Sequence, residues 1–135
     1  MCYLMTILCM QNIGFILILV SLLFSWVLVL YRYILKVDEK KVNTEYILKG
    51  HIDFFLMGIL LIVFSFVDGK INPGLIFLTC IGAITNPMMF IVMAFKPNIK
   101  KSPKSIFGLM TTISYIISTI GVGGFCISYL LTNSF

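Results

Sequence analysis

The chain has 135 residues, 60% hydrophobic and 11% charged, with a mean hydropathy of +1.08 and a net charge of +5. A water-soluble domain carries about 25% charged residues, so this composition excludes a soluble globular domain and makes lipid the solvent. The basic residues lie in short loops and the aromatics inside the apolar runs, which excludes a nucleic-acid surface and leaves the lysines as topology signals.

The first apolar run, Ile13 to Leu30, closes with Tyr31, Arg32 and Tyr33. Its 18 residues rise about 27 Å as a helix, close to the hydrocarbon thickness of a bilayer. The preceding segment, MCYLMTILCMQN, has no basic region and no A-x-A cleavage site, so it reads as an early start to this helix and not as a signal peptide. The polar stretch 36–49 follows, with Asn43 or Thr44 as the N-cap of a second helix and Glu45 in its first turn. The second apolar run is Ile52 to Val67, and Asp68-Gly69-Lys70-Ile71-Asn72-Pro73-Gly74 is a turn by composition. The third run, Leu75 to Phe95, contains Pro87; the fourth is Ile106 to Leu131. No stretch alternates apolar and polar positions as membrane β-strands do. The expectation is an all-α integral membrane protein, one four-transmembrane-helix bundle with helices at about 10–34, 44–67, 75–95 and 105–131.

Lys and Arg are distributed unevenly. Arg32, Lys36, Lys40, Lys41 and Lys49 lie between helices one and two, and Lys96, Lys100, Lys101 and Lys104 between three and four. The middle loop holds Lys70 alone. The positive-inside bias therefore predicts that 31–49 and 96–105 are cytoplasmic, with both termini and Lys70 outside. Cys2, Cys9, Cys80 and Cys126 show no C-x-x-C spacing and read as small hydrophobes.

Polar residues at membrane depth are costly and mark candidate sites. His51 is the only histidine, and imidazole is a common metal and heme ligand; the alternative is a histidine touching lipid headgroups. Counting from the helix ends puts Phe90 and Asn86 of helix three at a similar depth. Thr79, Ala83, Asn86, Phe90 and Met93 share one face of helix three, and His51, Phe54, Phe55, Gly58 and Ile62 share one face of helix two. One polar ligand bounded by aromatics, with Gly58 leaving room for a ring, suits a flat apolar cofactor; ordinary helix packing makes the same pattern. Asp53 points about 200° away from His51 and pairs with Lys49 or with a neighbouring helix. Pro87 frees the Ala83 carbonyl and predicts a kink that opens space beside Asn86. Met88, Met89 and Met93 offer thioethers for copper, but a single histidine is a poor complement to them. On helix four, Ser114, Ser118, Gly121, Gly124 and Ser128 form one stripe, a helix–helix contact within or between subunits.

Two segments resemble the styrene-oxide isomerase and hydroxylaminobenzene mutase family. His51-Ile-Asp-Phe-Phe-Leu-Met57-Gly58 is similar to its second-helix signature, in which Asn follows His by six residues and Gly comes next. Asn86-Pro-Met-Met-Phe90-Ile-Val-Met-Ala-Phe95-Lys-Pro97 is similar to its third-helix segment. The resemblance implies a homotrimer in a bacterial inner membrane, with heme b held through His51 beside Gly58. It also implies a redox-neutral isomerase or mutase, in which ferric heme acts as a Lewis acid on a small apolar substrate and the pocket falls at Phe90, Asn86 and Met57. Two positions depart: Met57 stands where the family has its pocket Asn, and Phe90 where it has Tyr. That opens two alternatives, a heme electron-transfer or sensing subunit and a non-enzymatic four-helix protein without cofactor. Small drug exporters of similar length use a carboxylate in helix one, and this helix one has no acid between Ile13 and Leu30.

Overall fold

A computed structural model describes residues 2–36, 42–67, 71–96 and 105–133. The chain forms α1 (Cys2–Val29), α2 (Thr44–Ser65), α3 (Pro73–Phe95) and α4 (Ile106–Asn133), with no strand among the described residues. All four are long and apolar enough to cross a membrane. The expected all-α four-helix membrane architecture is what the chain adopts.

Local chemistry sets the ends. α1 starts at Cys2, eight residues before the expected boundary at 10, because nothing in the apolar N-terminal segment breaks a helix. It widens into a π-helical turn, Leu30–Ile34, and stops at Lys36, whose φ of 45° is left-handed. Asn43 caps α2, its Oδ1 accepting from Glu45 N at 3.0 Å and Tyr46 N at 3.4 Å. Asn72 caps α3 through Gly74 N at 2.8 Å, with Pro73 in the first turn, where a missing N–H costs nothing. The turn residues 68–70 and the basic stretch 97–104 lie outside the described residues, as do Lys40 and Lys41.

Extensive contacts join α1 to α2, α2 to α3 and α3 to α4, with a smaller one between α1 and α3. The packing is that of a bilayer protein: small and polar groups lie inside beside a core of Met10, Phe54, Leu61 and Phe125, and many large apolar side chains face outward. Gly14, Ser21, Gly58, Thr79, Gly82, Ala83, Ser114, Ser118 and Gly121 are buried, while Leu23, Trp26, Phe77 and Ile106 face outward, Ile106 at 81% exposure. α1 and α2 meet backbone to backbone at two glycines. A Cβ on Gly58 would lie 2.8 Å from Gly14 O, and one on Gly14 would lie 2.8 Å from Gly58 O.

The helix-four stripe packs within the subunit, against α3. Ser118 backs onto Gly82, Gly121 onto Thr79 and Gly124 onto Leu75, and Ser114 Oγ donates to Thr85 Oγ1 at 2.9 Å. Phe64 of α2 stacks on Phe125 of α4 with centroids 4.1 Å apart. At the other end, Asn43 N donates to Ala94 O at 2.9 Å, and Tyr31 meets Phe95 edge-on at 6.3 Å, so the ends of α1, α2 and α3 are tied together.

Candidate functional site

Two polar contacts at membrane depth fall on opposite sides of α2. His51 turns to α1. Its Nδ1 lies 2.8 Å from the Ser21 carbonyl oxygen and 2.9 Å from Ser21 Oγ. The Ser21 hydroxyl donates its only hydrogen to the His51 carbonyl at 2.9 Å, so both Ser21 oxygens face Nδ1 as acceptors. The imidazole therefore carries its hydrogen on Nδ1 and its lone pair on Nε2, which has no partner among the described residues. A carbonyl holding one ring nitrogen is the usual support for a histidine that ligates a metal through the other. The ring is partly exposed.

Asp53 turns the other way. Its Oδ2 accepts from Asn86 Nδ2 of α3 at 2.8 Å. Of the two partners expected for Asp53, the neighbouring helix is the one found; Lys49 Nζ sits 5.3 Å above the Tyr46 ring instead. Asn86 is buried, and its Oδ1 has no hydrogen-bond partner among the described residues.

These directions correct three expectations. First, His51 does not face a cleft shared with Asn86 and Phe90. Depth was read correctly, since Gly50 backs onto Phe90 and Ile91 and Asp53 meets Asn86, but the ring points to α1. Second, Gly58 opens no room for a ring, because α1 fills that space with the Gly14 carbonyl and Ile18. Third, Pro87 opens no space beside Asn86. α3 stays helical through it, and both residues are buried. Met57 packs, half-buried, on the hydrophobic core, and Phe54 stacks on Phe24 of α1 with centroids 5.8 Å apart.

Sequence reading passed over Ser21 and Gly14. A usable signal existed, because Gly14 and Ser21 are seven residues apart, as are His51 and Gly58. Two antiparallel helices with matched seven-residue spacings bring both pairs together in one register.

No family model, curated protein or solved structure matches this chain.

Among the described residues no three His, Cys, Asp or Glu side chains gather round a common point. A cavity of about 250 Å³ between α1 and α3 is lined by apolar residues with Cys9 and Cys80, away from His51. Beside the Ser114–Thr85 contact, the interhelical side-chain polar contacts among the described residues are thus an anchored imidazole on one side of α2 and a carboxyl–carboxamide pair on the other.

Proposed function

We propose that this protein is a heme-binding integral membrane protein in which His51 Nε2 is the iron ligand. The observation that carries the reading is the Nδ1 contact with the Ser21 carbonyl at 2.8 Å, which fixes the tautomer and leaves a basic nitrogen without a protein partner among the described residues. The residues present fit the ligand end of such a site. They do not fit a porphyrin between α2 and α3, where Gly58 is closed and Asn86 is engaged by Asp53.

Bound there, ferric heme supplies a Lewis acid able to polarise a substrate oxygen, and a redox-neutral rearrangement of a small apolar substrate is the activity we assign to it. This chain's part is to hold the imidazole. Ser21 pins Nδ1, and the Gly14–Gly58 contact keeps α1 close enough to do so. Phe90 lies beside Gly50 on the α3 side of α2 and Met57 packs on the core, so neither is placed to orient a substrate oxygen at His51. We further propose a homotrimer in a bacterial inner membrane, which crosslinking in membranes would show as a trimer and monomer alone would contradict.

Purified from heme-replete cells, the protein is expected to show a Soret band that His51→Ala abolishes while helical ellipticity is kept. A colourless preparation overturns the reading. It would leave the second one, a structural four-helix protein without cofactor, which the closed Gly14–Gly58 contact favours.

A further inference from the structure

Cys9 of α1 and Cys80 of α3 are far apart in the sequence, yet both line the cavity of about 250 Å³ between these helices. Cys9 also lies within electrostatic reach of Cys80. Both are free thiols, Cys9 exposed and Cys80 buried. The rest of the lining is hydrocarbon and the Met10 thioether, so nothing else in the cavity competes for either sulfur. Cys126, the third cysteine whose side chain is described, lies on α4 and takes no part in this wall.

The pair stands near one end of the bundle. Phe77, which shares the cavity wall with Cys9, is four residues past the start of α3 at Pro73, about 6 Å along the helix. Cys80 is seven residues past it, about 10 Å. A reagent from water therefore has little apolar depth to cross, and it meets the exposed thiol before the buried one.

We propose that Cys9 and Cys80 are a redox-active thiol pair that forms an intramolecular disulfide between α1 and α3, with a small-molecule disulfide as its oxidant. Cys9 gives up its proton, and its thiolate attacks one sulfur of the oxidant. That forms a mixed disulfide on Cys9 and releases one thiolate. Cys80 then loses its proton and attacks Cys9 Sγ, forming the Cys9–Cys80 bond and releasing the second thiolate. The two leaving thiolates take up the two protons. The pair is oxidised by two electrons, and one oxidant disulfide is reduced to two thiols. Exposure assigns the order: Cys9 captures the oxidant and Cys80 resolves the mixed disulfide. The direct α1–α3 contact is small, so the new bond ties together two helices that are otherwise joined mainly through α2.

The test uses the full chain in lipid nanodiscs with Cys2→Ser and Cys126→Ser, which leaves only this pair. It is treated with oxidised glutathione, quenched with acid, alkylated with N-ethylmaleimide in sodium dodecyl sulfate, and weighed intact. Both thiols are expected to be lost to alkylation, with no glutathione retained, and peptide mapping should link Cys9 to Cys80 within one chain. In Cys80→Ala the mixed disulfide has no resolving thiol, so Cys9 should keep one glutathione; Cys80→Ser makes the same test should the alanine variant lose ellipticity. In Cys9→Ala the buried Cys80 should remain fully alkylatable. Two thiols that stay alkylatable overturn the proposal, as do a glutathione retained on the intact pair and a disulfide that joins two chains. A link that forms equally fast in chain already unfolded by sodium dodecyl sulfate overturns it too, because the fold would then have no part in bringing the sulfurs together. Heme content enters none of these readouts.

Discussion

At His51 the two hydrogen bonds with Ser21 do different jobs. The imidazole donates from Nδ1 to a main-chain oxygen, whereas the Ser21 hydroxyl donates to the main chain of α2. Ser21→Ala removes only the hydroxyl, so it should cost about 0.6 kcal/mol of bundle stability, a typical interhelical hydrogen bond in a membrane protein. The Nδ1–H tautomer should survive, read as an unchanged pattern of ¹⁵N shifts for the imidazole. A switch to the other tautomer would show that the hydroxyl, and not the carbonyl, sets the ring. The sequence makes the polar residues easy to find but not their directions. His51 and Asp53 are two residues apart on a helix, so they necessarily point to different sides; which side belongs to α1 depends on packing that neither residue encodes. Asn86 is legible as a buried polar group, but its partner is not, because nothing near Asp53 in the chain prefers Asn86 to Lys49.

Among the elements, α1–α2 and α3–α4 are built on the same device, backbone approach over small residues, but with different chemistry. The first pair is a reciprocal glycine contact; the second interleaves Ser, Thr and Gly. Gly58→Val should force α1 and α2 apart and cost about 1–3 kcal/mol, as overpacking does in cores. Gly14→Val should cost about the same, and the double variant well under the sum, since separation forced by one side chain makes room for the other. Unfolding of each variant by sodium dodecyl sulfate, followed by ellipticity, measures this; strict additivity would mean that the two glycines do not share one contact. The stripe on helix four was legible because five small residues in register leave few other readings. Gly14 was harder to read, being a single glycine in a run of Ile, Leu and Val whose partner lies on another helix.

For the whole molecule, hydropathy and loop charge carry nearly all of the fold. Four apolar runs of bilayer length, separated by polar stretches too short for a domain, allow little besides a bundle, and each run became one helix. Boundaries were read less well. α1 runs back to Cys2 because an apolar segment without Gly or Pro gives no stop signal. Nine basic residues in loops one and three against one in the middle loop predict that those two loops are cytoplasmic. Reporter fusions at residues 40, 70 and 135 should read inside, outside and outside, and a cytoplasmic C-terminus would invert the assignment. The depth of His51 along α2 does not depend on the answer.

The main-chain anchor of the imidazole has a consequence for how this protein can drift over time. A carbonyl is present whatever residue occupies position 21, so a substitution there by another small residue leaves Nδ1 its acceptor. A slide or rotation of α1 as a rigid rod would remove it, and such movement is opposed seven residues away, where Gly14 and Gly58 interlock. Lineages that keep those two glycines can exchange Ser21 for another small residue and still hold the histidine in the same pose.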